Sequence, residues 1–288
     1  MKKILVPTDF SKEANYAMQL AAEIAERIEA ELHLLHVMEI PYGSYSVMGE
    51  FIPSSSFENV FQVQLIKQTK RELDELVDDL VGRGINTTAH FVFGNTFSHI
   101  HKTVTAQDMD MIVMGSKGAS GLSEFFIGSN AEKVIRHANC PVLTVKGETH
   151  LKDIKSFVYA TDCTEEQEQV VGHVKALQEL LGFQLYLVRV ITPYNFLVKS
   201  SAMDQLNAFA EKHHFKNYIL STVEAEFAEE GILTFATHNK IDMAAMGTHG
   251  RTGLAHLFGG SVSESVANHA DIPIWTLKMQ EQLEEAVA

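Results

Sequence analysis

A chain that repeats one glycine spacing is bound to build one kind of loop twice. Gly115-Ser116-Lys117-Gly118 is followed after nine residues by Gly128-Ser129, and 132 positions further on Gly247-Thr248-His249-Gly250 is followed after nine residues by Gly260-Ser261. Both copies continue to a proline, through His137-Ala138-Asn139-Cys140-Pro141 and His269-Ala270-Asp271-Ile272-Pro273. Each also begins where an apolar run ends, at Met114 and at Met246. Asp110 to Met114 and Asp242 to Met246 are short and nearly unbroken, the pattern of a strand buried on both faces of a parallel sheet. The glycines therefore belong at a strand's carboxyl end.

After the second glycine pair stand Ser129-Asn130-Ala131-Glu132 and Ser261-Val262-Ser263-Glu264, which read as S-x-x-E capping boxes opening a helix. Strand, glycine loop and helix start, in that order, gather free backbone N–H groups at one spot. Glycine lets main chain approach a ligand closely, and a helix N-terminus carries partial positive charge, so the spot suits phosphate. Turn glycines and serine caps also occur in proteins that bind nothing, and it is the duplication of the whole spacing that favours phosphate.

The surrounding pattern alternates strand and helix. Lys3 to Thr8, Glu31 to Val37, Asn86 to Phe93, Met109 to Met114 and Val142 to Val145 read as strands, separated by helices that include one from about Glu58 to Val81. The second half repeats them at Phe157 to Thr161, Gln184 to Val190, Tyr218 to Val223, Met243 to Met246 and around Trp275. Asp9 to Val37 and Asp162 to Val190 both span 28 positions; from the valine to the first signature glycine the halves take 78 and 57, so the first carries 21 extra residues. The Tyr42 to Phe57 loop and a longer helix are the place for them. Such alternation predicts parallel sheets with helices on both faces and ligands beyond the carboxyl ends of the strands. Three loops meet there: Pro7-Thr8-Asp9, the turn after Val37, and the glycine loop. Lys117 lies within reach of phosphate oxygens or is simply solvated, and Asp9 is an Asp before Ser that could as well only cap the first helix.

The G-x2-G-x9-G-[ST] signature after a fourth strand resembles that of the universal stress proteins, in the subgroup that binds ATP, and nearly the whole chain resembles a tandem pair of such domains. The resemblance implies two Rossmann-like α/β domains of the adenine nucleotide alpha hydrolase-like kind, over residues 1–147 and 152–279, each a five-stranded parallel sheet with helices on both faces, packed as a pseudo-two-fold pair. It implies ATP as ligand, with ADP and AMP as alternatives and Mg²⁺ carried on the phosphates. It also implies that Asp9 and Val37 hold the adenosine part, beside Pro7, Thr8, Met114, Gly115, Lys117, Gly118, Gly128, Ser129 and Asn130. In the second repeat the corresponding residues are Thr161, Asp162, Val190, Met246, Gly247, His249, Gly250, Arg251, Gly260, Ser261 and Val262. Family domains pair through their fifth strands, so Pro141 to Val145 and Pro273 to Leu277 are expected to pair within one chain, with a further homodimer left open. Ala160 replaces Pro7 in the second copy, and losing the fixed φ of proline weakens the expectation of binding there.

Charge and composition narrow the classes. Lys plus Arg number 23 against 37 Asp plus Glu, a formal −14 without a basic run, which disfavours nucleic acid and anionic membrane surfaces. Met1 to Val6 runs straight into Pro7-Thr8-Asp9 with no signal-peptide core, and no 18-residue apolar stretch follows, so a cytoplasmic protein is expected. Cys140 and Cys163 stand singly and are expected to be reduced, packed thiols. The 14 histidines form no H-E-x-x-H motif, and no resident metal is expected. Neither a G-x4-G-K-[ST] loop nor G-x-G-x-x-G is present. Three functions fit: an ATP-binding regulatory module of stress response, a slow ATPase or other ATP-using enzyme with His249 or Arg251 near the phosphates, and a scaffold with empty sites.

Overall fold

The computed structural model describes residues 1–39, 56–118, 127–195, 198–249 and 262–279. The first repeat runs β1 (Lys3–Pro7), α1 (Lys12–Ile28), β2 (Glu31–Met38), α2 (Ser56–Gly82), β3 (Thr87–Phe93), α3 (Thr96–Gln107), β4 (Met111–Gly115), α4 (Ser129–His137) and β5 (Val142–Val145). The second runs β6 (Ser156–Ala160), α5 (Glu168–Leu181), β7 (Gln184–Ile191), α6 (Lys199–Lys212), β8 (Tyr218–Glu224), α7 (Ala228–His238), β9 (Met243–His249), α8 (Val262–His269) and β10 (Ile274–Met279). Of the extra length in the first repeat, part is the 27-residue α2 against the 14-residue α6; the Tyr42 to Phe57 loop expected from sequence lies outside the described residues up to 55.

All ten strands of the described residues join one sheet in the order β3-β2-β1-β4-β5-β10-β9-β6-β7-β8. Within each repeat neighbours are parallel; β5 and β10 are antiparallel, with Trp275 opposite Leu143. Thr144 Oγ1 donates to the Ile274 carbonyl at 3.2 Å and Thr276 Oγ1 to the Val142 carbonyl at 3.4 Å. The two bonds are counterparts, each 132 positions apart from the other, and they put a pseudo-two-fold axis through the Leu143–Trp275 pair. Because the halves run in opposite directions, the carboxyl ends of β1–β4 and those of β6–β9 lie at opposite ends of the sheet.

Alternation along each strand supplies two cores. Ile4 and Val6 pack on one face with α1, α2, α5 and α6, whereas Leu5 packs on the other with α3, α4, α7 and α8. Helix α1 starts because the Ser11 side chain accepts from the Ala14 N–H, and it stops where Glu29 turns left-handed and donates to the Ala25 carbonyl. Its inner face is largely alanine (Ala14, Ala17, Ala21, Ala22, Ala25), which lets it lie close on the strands. Between the repeats, the Glu23 carboxylate on α1 takes His150 Nδ1 at 2.7 Å and the Leu151 N–H at 2.6 Å, tying the connecting segment to the first repeat.

Two expectations need correction. The serine of the S-x-x-E pattern does not cap α4: Gly128 is the N-cap, no side chain caps the helix, and Ser129 is its first residue. Glu132 is instead occupied by Arg136 at 3.2 Å, one turn on. The fourth strand of the second repeat also does not end at Met246. It continues through Gly247 and Thr248 to His249, because Lys278 and Met279 of β10 extend the ladder, whereas β5 stops at Val145.

Candidate functional site

At the carboxyl ends of β1, β2 and β4 lies a cleft of about 290 Å³, near the low end of the roughly 300–1,000 Å³ usual for small-molecule sites. Each wall comes from a separate element. Pro7, Thr8 and Asp9 follow β1; Val37 and Glu39 come from the end of β2; Met114, Gly115, Lys117 and Gly118 close β4; Gly128, Ser129, Asn130 and Ala131 open α4. All eleven residues expected from the first-repeat sequence thus line one space. Ala14, Leu35, Glu39, Thr96, Ile100 and Ala131 line it too and were not foreseen. Glu39, two residues past Val37, was legible as the next position along the strand end; Thr96 and Ile100 are there because α3 returns over the cleft.

The first loop is held by its own polar groups. Thr8 N–H donates to the Leu35 carbonyl at 2.9 Å, Phe10 N–H to Thr8 Oγ1 at 3.1 Å, and Ser11 N–H to Asp9 Oδ1 at 3.0 Å. Phe10 sits at φ 60°, in the left-handed region. Beneath the loop, buried His36 holds the Thr8 carbonyl through Nδ1 at 2.9 Å, and burial pushes its pKa below the ordinary histidine value. The loop is therefore fixed from below, and the exposed Asp9 carboxylate is presented to the cleft.

The three signature glycines of the first repeat have three different reasons. A methyl group at Gly115 would lie 2.8 Å from the Glu13 carbonyl carbon, so glycine there lets α1 begin against the end of β4. At Gly118 it would lie 2.6 Å from Asp9 Oδ2, so glycine lets the two loops meet. Gly128 has φ −66° and ψ 146°, open to any residue, and a methyl would meet only ordinary contacts at 3.5 to 3.6 Å. Among the described residues no packing contact asks for glycine at 128, and its bare main chain lines the cleft.

Gly128 N–H donates to the Ser116 carbonyl at 2.7 Å, and the Gly128 carbonyl accepts from Glu132 N–H at 3.0 Å. Intrahelical bonding therefore starts at Glu132, and with no side-chain cap the first-turn N–H groups of Ser129, Asn130 and Ala131 are left for the cleft. Uncapped donors at the positive end of a helix form an anion cradle. The chemistry of the lining fits a phosphate-bearing ligand: it combines amides, a carboxylate able to accept hydroxyl protons, and apolar Val37, Ile100 and Met114.

The second repeat reproduces half of this. Thr161 N–H bonds the Val188 carbonyl at 3.0 Å, Cys163 N–H bonds Thr161 Oγ1 at 3.0 Å, Thr164 N–H bonds Asp162 Oδ1 at 3.2 Å, and Cys163 has φ 61°. The loop forms without proline, because threonine and aspartate side chains, not the ring of Pro7, set its shape. Its support is different. Arg189 stands where His36 does and donates to the Asp162 carbonyl. Val190 abuts α7, where a methyl at Gly231 would lie 2.5 Å from its Cγ1. Gly247 is crowded by Met279 Sδ and Gln167 Oε1, at 2.9 and 3.0 Å from a methyl placed there. Met246 is buried behind it. His249 is in β9 rather than a loop, Val262 is the exposed first residue of α8, and Gly250, Arg251, Gly260 and Ser261 lie outside the described residues.

Elsewhere, Cys140 is a free buried thiol pushed up to about 12 by desolvation, and Cys163 is free and half-buried. Among the described residues no three His, Cys, Asp or Glu are grouped to hold a metal ion, and no helix is long and apolar enough to cross a membrane.

Comparison with known proteins matches the family model described as "Universal stress protein family" twice, over residues 1–146 and 153–278. The universal stress protein Slr1230 of Synechocystis sp. is 24% identical over 96% of this chain and all of its own length. The universal stress protein MJ0577 of Methanocaldococcus jannaschii is 32% identical over 50% of this chain and 94% of its own. Among solved structures, a universal stress protein from Archaeoglobus fulgidus superposes with a TM-score of 0.75 at 18% identity, covering 97% of both chains, a likeness of fold.

Proposed function

The chain belongs to the universal stress protein family, and from that premise we propose that its first repeat binds ATP and that the protein acts as a nucleotide-dependent regulatory module in stress response. The observation that carries this is the uncapped start of α4, its first-turn amides lining the same cleft as Asp9 and Val37. Phosphates would take the Ser129 to Ala131 amides, with Lys117 adding positive charge at the loop. Asp9 would accept hydroxyl protons of the ribose, and the apolar wall of Val37, Ile100 and Met114 would face the base. Mg²⁺, where present, would neutralise phosphate charge on the solvent side.

Binding ranks above turnover in this reading. Rapid hydrolysis needs a group that orients a water in line with the terminal phosphate. The cleft offers instead main-chain donors, apolar walls, Lys117 and two carboxylates, Asp9 with Oδ1 engaged by Ser11 and Glu39 with Oε1 engaged by Thr96. The test is to denature purified protein, identify released nucleotide by chromatography, and titrate the emptied chain with ATP. Adenine nucleotide bound in the first repeat and weakened roughly tenfold or more by Asp9→Ala is expected. A chain that retains none at millimolar ATP, or that binds as well without Asp9, would sink the proposal.

A further inference from the structure

The glycine loop of the first repeat is not completed by the first repeat. Ile127, directly before the N-cap Gly128, donates its N–H to Asn268 Oδ1 at 2.6 Å, and Asn268 lies in the last turn of α8, in the second repeat. The topology makes this contact natural. Antiparallel pairing of β5 with β10 sets α4 and α8 side by side across the axis in opposite directions, so the carboxyl end of α8 comes to the start of α4.

Two successive amides are thereby secured, Ile127 by Asn268 and Gly128 by the Ser116 carbonyl at 2.7 Å. Anchoring consecutive peptide groups fixes the direction in which the next ones point, and the next are the donors of Ser129, Asn130 and Ala131. We infer that Asn268 is a positioning residue for the first-repeat phosphate cradle, so that nucleotide affinity in one half depends on a side chain of the other. This rests on the nucleotide reading of the cleft and goes beyond it by giving the site a second-repeat component.

The two halves differ in chemistry at this position. The pseudo-symmetric counterpart of Asn268 is Arg136, whose guanidinium donates to Glu132 at 3.2 Å. A guanidinium has five donors and no acceptor, so it cannot receive an amide proton.

The test compares ATP with adenosine on the full chain. Asn268→Leu keeps the side chain's size and removes the acceptor; Asn268→Ala removes both. Each is expected to weaken ATP roughly three- to tenfold, the effect of losing one neutral hydrogen bond, while adenosine, which does not use the cradle, binds as before. In nucleotide-free protein the Ile127 amide should exchange with solvent faster in both variants, a readout that needs no ligand. Equal weakening of ATP and adenosine would mean general loosening and overturn the inference, as would unchanged ATP affinity or an Ile127 amide that exchanges at the wild-type rate. A wild-type chain that binds neither ligand would overturn the nucleotide reading itself, an outcome distinct from the others.

Discussion

At the scale of single residues, the signature glycines are distinguishable by what each would meet if enlarged. Gly115→Ala presses a methyl against backbone of α1 at 2.8 and 2.9 Å, and backbone cannot swing aside. It is expected to cost about 1–3 kcal/mol in urea unfolding. Among the described residues Gly118→Ala meets only the end of the Asp9 side chain, so stability should change little while Asp9 is displaced and ATP and adenosine weaken together. Gly128→Ala should cost no more than about 1 kcal/mol as an N-cap change and weaken ATP selectively, because it lines the phosphate side. Calorimetric titration beside unfolding curves checks the three patterns, and identical behaviour of all three would refute the assignment of separate roles. The sequence marks these residues as a set through their spacing; only contact distances separate the one that packs a helix from the one that lines the cleft without packing against it.

At the scale of elements, the segment joining the repeats is tied to α1 through a titratable side chain, His150. Donating a hydrogen bond to the Glu23 carboxylate raises the His150 pKa above its ordinary value of 6.5. A histidine whose folded pKa is raised contributes fully below the unfolded value, and the contribution is lost as pH climbs through the folded one. Stability should therefore decline from about pH 6.5 upward in wild type and stay flatter in His150→Gln, measured by urea midpoints across that window. Parallel slopes would remove His150 from the account. The same scale holds the clearest departures from the sequence reading. Ser129 looked like a cap and is the first helical residue, because the loop closes on the Ser116 carbonyl and leaves the preceding glycine as N-cap. At Ala160, where the missing proline weakens the expectation of nucleotide binding, Thr161 and Asp162 nonetheless repeat the loop hydrogen bonds of Thr8 and Asp9.

For the whole molecule, one sheet shared by both repeats predicts one cooperative transition. Trp275, the single tryptophan of the chain, is 2% exposed and sits on the pseudo-two-fold axis opposite Leu143, so its fluorescence reports the junction. Its unfolding should coincide with loss of helix followed by circular dichroism. Thr144→Val and Thr276→Val each delete one of two matching hydrogen bonds across β5 and β10. Each should cost a similar amount, about 0.5–1.5 kcal/mol. Two separated transitions, or strongly unequal costs, would contradict a junction that both halves share equally.

Taken alone, the amino-acid order determined the strand-and-helix succession and the duplication, because buried parallel strands and tight glycine turns leave local, periodic marks; the full set of first-repeat residues at the cleft follows from the family resemblance that the repeated spacing carries. It could not decide which serine or glycine caps a helix, how far β9 runs, or that Asn268 reaches the loop 141 positions before it. Those depend on which strand lies next to which and in what direction. Pairing β5 antiparallel to β10 brings the end of one helix to the start of another, and no local pattern in either segment encodes that meeting.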